Sequence, residues 1–359
     1  MPQCPEYRLR LFLSVDLVGS TIYKARFSET NDQNGPHPTW VTQIRHFYRE
    51  FPKFVLSRFE KALSINEKHD HYRNFVPAVW KTIGDEIILC VRVHSIEHLS
   101  YCVTAFIKAL EDYGGYLDGE GKHLDVKGAG WIAAFPAPNV SVGIVGIPSP
   151  GNSDILDELL ETRADKAPAE FDFLGKEIDS GFRSARHASS DRFTTSVELA
   201  WLLAEAAHSE IFSAKFSYHG RQVLKGVLND RPYPIISLDA ERSHIRREVR
   251  TRERAVMHSS EAVPLHLRDF LKSFMDDENI DPPLLKKEGE ELKQSELPKC
   301  YMDFRSAWEM GAKENYERSA EEVASEAEDG TQAEMPSEIG AALDATIANV
   351  ESEKNASSN

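Results

Sequence analysis

Residues 8–16, Arg-Leu-Arg-Leu-Phe-Leu-Ser-Val-Asp, form a mostly apolar run with the length of a buried strand. A turn at Val18-Gly19-Ser20-Thr21 follows, then a polar loop around Asn31 to Pro38. From Trp40 to Leu63 apolar residues return every three to four positions, through Ile44, Phe47, Phe51, Phe54, Val55, Phe59 and Leu63. That period predicts an amphipathic helix, with Pro52 a kink within it. Two further apolar runs, Phe75–Ile83 and Ile87–Val93, flank Gly84-Asp85-Glu86 and predict a β-hairpin. A helix is expected over 95–113, then a strand over Leu124–Phe135 with small residues in its middle. Phe171-Asp172-Phe173 reads as a short strand leading into a helix through about His187. Phe212–Lys225 and Tyr233–Leu238 read as late strands, the first broken by a turn at His219-Gly220.

After Leu238 the pattern changes. Residues 241–254 carry six arginines and three glutamates, and a helical stretch continues to about Asp276 before Pro282-Pro283. An arginine-rich helix can touch a nucleotide or RNA, but an exposed charged helix packed on the domain fits better. Three segments follow: a β/α domain over 1–240, a helical extension over 241–314, and an acidic low-complexity tail over 315–359.

The tail changes the charge picture. The chain holds 58 acidic against 42 basic side chains, a formal charge of −16. Residues 315–359 alone hold eleven acids against Arg318 and Lys354, a net of −9. With one aromatic, Tyr316, that stretch buries too little to offset its ordering entropy, and it reads as a solvated, disordered or marginally helical tail. The negative sign argues against direct nucleic-acid binding. No apolar run reaches the ~18 residues of a membrane span, no leader opens the chain, and Cys4, Cys90, Cys102 and Cys300 are scattered. The expectation is a cytoplasmic protein with free thiols.

Asp16 closes a buried strand just before a tight turn. A carboxylate there suits a metal beside phosphate oxygens, but taken alone a structural cap is the better reading. Asp85, at the expected hairpin tip, would complete a two-carboxylate site for Mg²⁺ or Mn²⁺ if the two strands pair. Asp179 and Arg183 are four residues apart, on one helical face, and read alone as a surface ion pair. Lys68-His69-Asp70-His71 holds a His-x-His without an obvious third ligand, and an exposed polar loop is the better reading. Histidines 208, 219, 244, 258 and 266 show no ligand spacing.

Together, Ser14-Val15-Asp16-Leu17-Val18-Gly19-Ser20-Thr21 and Lys81-Thr82-Ile83-Gly84-Asp85 resemble the catalytic domain of class III nucleotidyl cyclases. Phe171-Asp172-Phe173-Leu174-Gly175 and Lys225-Gly226 resemble later elements of that family, so the likeness spans about residues 8–240. It implies an α+β fold with a ferredoxin-like βαββαβ core. It also implies two Mg²⁺ or Mn²⁺ ions at Asp16, Leu17 and Asp85, and phosphates at Val18, Gly19, Ser20, Thr21 and Lys225. Lys81 and Asp172 fall at the base-contacting positions, and Asp179 and Arg183 at the ribose-orienting and transition-state positions. The implied substrate is a nucleoside triphosphate, cyclised at sites shared across a head-to-tail homodimer.

The departures are specific. Asp179 replaces an asparagine, and Lys127-Gly128-Ala129-Gly130-Trp131-Ile132 replaces the family's Arg-x-Gly-x-x-x-Gly strand. With Tyr48 or Phe51 as candidates to narrow the base pocket, the pattern is most similar to the pyrimidine cyclases of bacterial Pycsar anti-phage systems. The implied product is cyclic UMP, or cyclic CMP, acting on a separate effector. Lys81 and Asp172 also match the family's adenine-selecting pair. An adenylate cyclase and a catalytically dead nucleotide-binding module therefore remain as alternatives.

Overall fold

The computed structural model describes residues 3–29, 37–65, 67–121, 123–144, 157–256 and 261–328. Most of the polar loop before Pro38 and the acidic tail beyond Glu328 lie outside them. The chain divides into two units, Met1–Ser306 and Ala307–Asn359, and the description below concerns the first.

In chain order the elements begin with β1 (Arg8–Val18), α1 (Ser20–Arg26) and α2 (Thr39–Leu63), followed by a 3₁₀ segment over Glu67–Asn74. Then come β2 (Ala78–Ile83), β3 (Glu86–Val93), α3 (Ile96–Gly119), β4 (Asp125–Phe135) and β5 (Val140–Gly143). The second half holds α4 (Glu158–Lys166), β6 (Phe171–Leu174), α5 (Lys176–Ala185), β7 (Arg192–Thr195) and α6 (Val197–His208). It closes with β8 (Phe216–Val223), β9 (Pro232–Asp239), α7 (His244–Val256), α8 (Pro264–Asp277) and α9 (Lys299–Glu328). Seven strands form one sheet in the order β2-β3-β1-β4-β7-β9-β8, while β5 and β6 make a separate pair. Only β4–β7 is parallel in the large sheet. The series β1-α2-β2-β3-α3-β4 thus builds the expected βαββαβ core in an α+β fold.

Central β1 is buried on both sides, and its alternation sorts the two cores. Leu9, Leu11, Leu13, Val15 and Leu17 join the larger core with Phe47, Phe51 and Phe59 of α2 and Leu99, Phe106 and Leu110 of α3. Phe12, on the other face, packs with Trp80, Trp131, Phe171 and Phe173. Gly128 and Gly130 explain the small residues in β4. A Cβ at Gly128 would stand 2.5 Å from Leu110 Cδ1, and one at Gly130 would stand 2.8 Å from Phe193. Helix α2 runs through Pro52 as one element. Leu267, Leu271, Phe274 and Met275 of α8 join the larger core, whereas α7 has no buried residue.

The expected turn at His219-Gly220 is instead a bulge. β8 continues through it, with its register against β9 shifting between Tyr218 and Arg221 and Gly220 at φ 80°. Four elements carry no readable period: β5 and β7 have four residues each, α4 is a nine-residue charged helix, and α6 is buried nearly all round.

Buried charge locks the second face. Arg10 is fully covered and pairs with Glu161 at 2.7 Å and Asp165 at 2.6 Å, its guanidinium 4.5 Å from the Phe135 ring centroid. Arg8 reaches Asp165 at 2.7 Å and also pairs with Glu158. These pairs fasten α4 to β1; a buried pair is costly to desolvate, and removing one partner is worse than never having had it. Glu177 of α5 does the same at the end of β4. It accepts hydrogen bonds from Ala134 N–H at 2.8 Å and Asn139 Nδ2 at 2.6 Å.

Burial, with Glu198 nearby, pushes the Glu177 carboxyl up to about 7. The unfolded chain loses this proton near its ordinary value while the folded chain keeps it. The group therefore favours folding at low pH, and its contribution falls as pH rises from about 4.5 to 7. Glu177→Gln should remove ~3 kcal/mol of this pH dependence and raise stability at pH 8 relative to wild type. Urea unfolding at pH 5 and pH 8 measures it, and an equal pH slope in both proteins would contradict the assignment.

Candidate active site

Strand pairing places Asp16 of β1 opposite Glu86 of β3 on one side and Lys127 of β4 on the other. Asp85 precedes Glu86 in the two-residue hairpin turn, with Gly84 at φ 65° supplying the left-handed position. The Asp85 carbonyl accepts the Leu17 N–H at 3.2 Å, tying the turn to the end of β1. Asp16, Leu17, Val18, Gly19, Ser20, Thr21, Asp85 and Lys127 then line one open groove. The pairing that a two-carboxylate site requires is present.

Gly19 sits at φ 86°, where a side chain would be strained, and turns the chain from β1 into α1. The first-turn N–H groups of α1 have no intrahelical acceptor. Ser20 Oγ donates to Asp85 Oδ2, and Lys24 Nζ stands 3.2 Å from Asp85 Oδ1. Lys127 Nζ stands 3.1 Å from Asp16 Oδ2. Burial raises the Asp16 carboxyl, Lys127 opposes that rise, and Asp85 adds to it. The Leu17 side chain is in the core, so only its main chain can serve the groove.

Glu86 is a third carboxylate: the sequence pattern assigns it to the turn with Asp85, whereas it opens β3 and pairs with Asp16. Ser14 Oγ donates to it, and burial with Asp16 and Asp85 pushes its carboxyl upward. Among the described residues no three His, Cys, Asp or Glu side chains stand in a metal-ligating arrangement. Asp16 and Asp85, each already holding a lysine ammonium, are nonetheless a hard-oxygen donor set that a divalent cation fits. Asp16, Asp85 and the Leu17 main chain would hold it.

Lys81 and Asp172 form a second cluster. Lys81 Nζ pairs with Asp172 Oδ1 at 2.7 Å and lies 3.8 Å from the Trp80 ring centroid. Trp80 Nε1 donates to the Phe171 carbonyl at 2.9 Å, pinning β6 beside β2. Asp179 and Arg183 lie on successive turns of α5, Asp179 exposed and Arg183 half-buried, and no ion pair joins them among the described residues. Lys225 is exposed in the turn after edge strand β8, with Gly226 at φ 77°. Lys81, on the opposite edge strand, is far from it in sheet order.

The two pocket-narrowing candidates part ways. Phe51 is not at the site, because it is fully buried against Phe106 and Tyr113 between α2 and α3. Tyr48 donates its hydroxyl to the Gly84 carbonyl and braces the turn that carries Asp85.

No family model matches the chain, and no curated protein matches it. Among solved structures the chain is similar to the adenylyl cyclase CyaB from P. aeruginosa, at 11% identity over 65% of this chain and 94% of that one, with a TM-score of 0.42. It is also similar to the guanylate cyclase domain of RhGC from Catenaria anguillulae in complex with GTP, at 8% identity, 66% and 100% coverage, and a TM-score of 0.41. The guanylyl cyclase Cya2 is similar at 14% identity, 68% and 96% coverage, and a TM-score of 0.32. Scores this low carry no functional weight.

A divalent cation at Asp16 would have to displace Lys127. A partly exposed ion pair is worth ~0–1 kcal/mol, so Lys127→Met should tighten Mn²⁺ binding by about two- to five-fold. Mn²⁺ titration followed by electron paramagnetic resonance reads this directly, and weaker binding by the variant would show that Lys127 supports the ion site.

Proposed function

We propose that the chain is a divalent-metal-dependent nucleotidyl cyclase that converts a nucleoside triphosphate, UTP before CTP, to its 3′,5′-cyclic nucleotide and pyrophosphate. The observation that carries the reading is the convergence of Asp16 and Asp85 on one groove beside the Gly19 turn. A pair of carboxylates beside a tight glycine turn suits chemistry at phosphorus better than binding alone.

In this reaction the 3′-oxygen forms a bond to the α-phosphorus, the bond from that phosphorus to the leaving pyrophosphate breaks, and the hydroxyl proton passes to solvent. The cations, when bound, supply the charge that lowers the hydroxyl's pKa and neutralises the leaving phosphates. Asp16 and Asp85 hold that charge in place, and the Val18–Thr21 turn orients the phosphates with its main-chain N–H groups. Lys81 offers a donor beside the Asp172 acceptor, a pattern that uracil satisfies through O4 and N3–H and cytosine through N3 and its amino group. Adenine satisfies it as well, so the preference for pyrimidines rests on the resemblance of the motifs. Arg183 bears on charge developing at the phosphate, and Asp179 takes the ribose side. Lys225 contacts the phosphates.

The reading places Asp16 and Asp85 from one protomer opposite Lys81, Asp172, Asp179, Arg183 and Lys225 from a second. The cyclic product would act on a separate effector in anti-phage defence. A second reading, a nucleotide-binding module without turnover, is favoured by the lysines that already neutralise Asp16 and Asp85.

The test is product analysis by mass spectrometry after incubation with ATP, GTP, CTP, UTP and Mn²⁺. A cyclic pyrimidine is expected; cyclic AMP alone would overturn the base assignment, and nucleotide binding without any cyclic product would support the binding module. Asp16→Ala and Asp85→Ala should each abolish turnover with the fold intact, and Arg183→Ala should lower it about 10²–10³-fold. Mixing inactive Asp85→Ala with inactive Arg183→Ala should restore activity through heterodimers that keep one whole site. No restoration in a mixture shown to exchange subunits would rule out shared sites.

A further inference from the structure

Trp80 and Lys81 are consecutive on β2, and consecutive strand residues face opposite sides of a sheet. Yet the Lys81 ammonium stands 3.8 Å from the centroid of the Trp80 ring. The pairing of β2 with β3 explains this. Val79 pairs with Leu89 and Lys81 with Ile88, so two steps along β2 match one along β3, and Trp80 is the extra residue of a β-bulge. Val79 and Leu89 face the larger core, whereas Trp80 and Ile88 belong to the second cluster with Phe12. A regular strand would return Lys81 to the side of Val79. The bulge keeps it on the side of Trp80.

We propose, on the cyclase reading, that Trp80 is a positioning residue for base recognition: from the bulge it fixes both Lys81 and Asp172, so that a donor and an acceptor stand ready for the edge of a nucleobase. The indole holds each partner by a different contact. Its ring face attracts the Lys81 ammonium. Its Nε1–H donates to the Phe171 carbonyl at 2.9 Å, which sets β6 one residue before Asp172. The indole itself is buried, with the rings of Phe12 and Phe173 at 5.1 and 5.2 Å between centroids.

The pair keeps capacity for a ligand. Asp172 Oδ1 accepts from Lys81 Nζ at 2.7 Å and from the Phe173 N–H at 3.0 Å, while among the described residues Asp172 Oδ2 accepts nothing. An ammonium has three N–H donors, and Asp172 engages one of them. The two side chains are 32% and 42% exposed, so both are within reach of a base. A free lysine would have to give up its rotamer freedom on binding, and the Trp80 ring removes that cost beforehand.

The experiment joins a spectroscopic readout to kinetics in the full-length protein. With 5-fluorotryptophan incorporated, the Trp80 signal among the five tryptophans is assigned by its loss in Trp80→Phe, and Lys81→Met should move that ¹⁹F resonance. Trp80→Phe keeps a ring in the core and loses the Nε1–H, Trp80→Leu loses both, and thermal melts establish that each folds. With Mn²⁺ and the nucleoside triphosphate turned over best, Trp80→Phe should raise KM about two- to fivefold and Trp80→Leu about five- to twentyfold, each more than it lowers kcat. In a Lys81→Met/Asp172→Asn background, which has no pair to position, the same substitutions should change KM by less than about twofold. Equal losses in both backgrounds mark a purely structural role and overturn the proposal, as does an unmoved resonance. A resonance that moves in a protein whose wild type yields no cyclic product overturns the cyclase reading and leaves the Trp80–Lys81 arrangement standing.

Discussion

The alternation of β1 at the centre of the sheet is the constraint on which the other features depend. Five apolar side chains from Leu9 to Leu17 must face α2 and α3, so Arg8, Arg10, Phe12, Ser14 and Asp16 are forced to the opposite face. A slip of one residue would turn Asp16 toward the phenylalanines of the larger core and the five apolar side chains toward the carboxylates that Arg8 and Arg10 now hold. Pairing β1 with both β3 and β4 then fixes Glu86 and Lys127 as the neighbours of Asp16. The position of the Asp16 carboxylate is thus a by-product of the hydrophobic core.

That second face is held together by charge as much as by apolar contact. Arg8 and Arg10 draw α4 down through Glu158, Glu161 and Asp165, and Phe135 and Phe173 cover the Arg10 guanidinium. Glu177 ties α5 to the end of β4 in the same layer. This layer carries β6 and α5, and with them Asp172, Asp179 and Arg183. Its cost in desolvation gives rigid placement to side chains that are themselves exposed or half-buried.

The candidate site therefore has two parts with different origins. Asp16, Asp85 and the Gly19 turn are set by main-chain pairing inside the sheet, which tolerates little movement. Lys81 and Asp172 meet through side chains from an edge strand and a small separate sheet, where Trp80 pins one to the other. Of the braces around the first part, Ser20 on Asp85 lies within the quoted turn motif, whereas Tyr48 on Gly84 comes from a helix outside any motif.

The strongly patterned elements were legible from the chain itself: β1, α2, the β2–β3 hairpin, α3 and β4 follow their periods, because each buries one face or two. So were Asp16 and Asp85, since a carboxylate at the end of an apolar run or in a glycine turn stands out against its neighbours. The four-residue strands β5 and β7 and the all-round buried α6 were not, for too few residues or too uniform a burial leaves no period to read. Nor was the bulge at Gly220, which a sequence presents as a turn. Glu86 and Lys127 became neighbours of Asp16 only when distant strands met, because register and long-range packing, unlike local propensity, are properties of pairs that lie far apart along the chain.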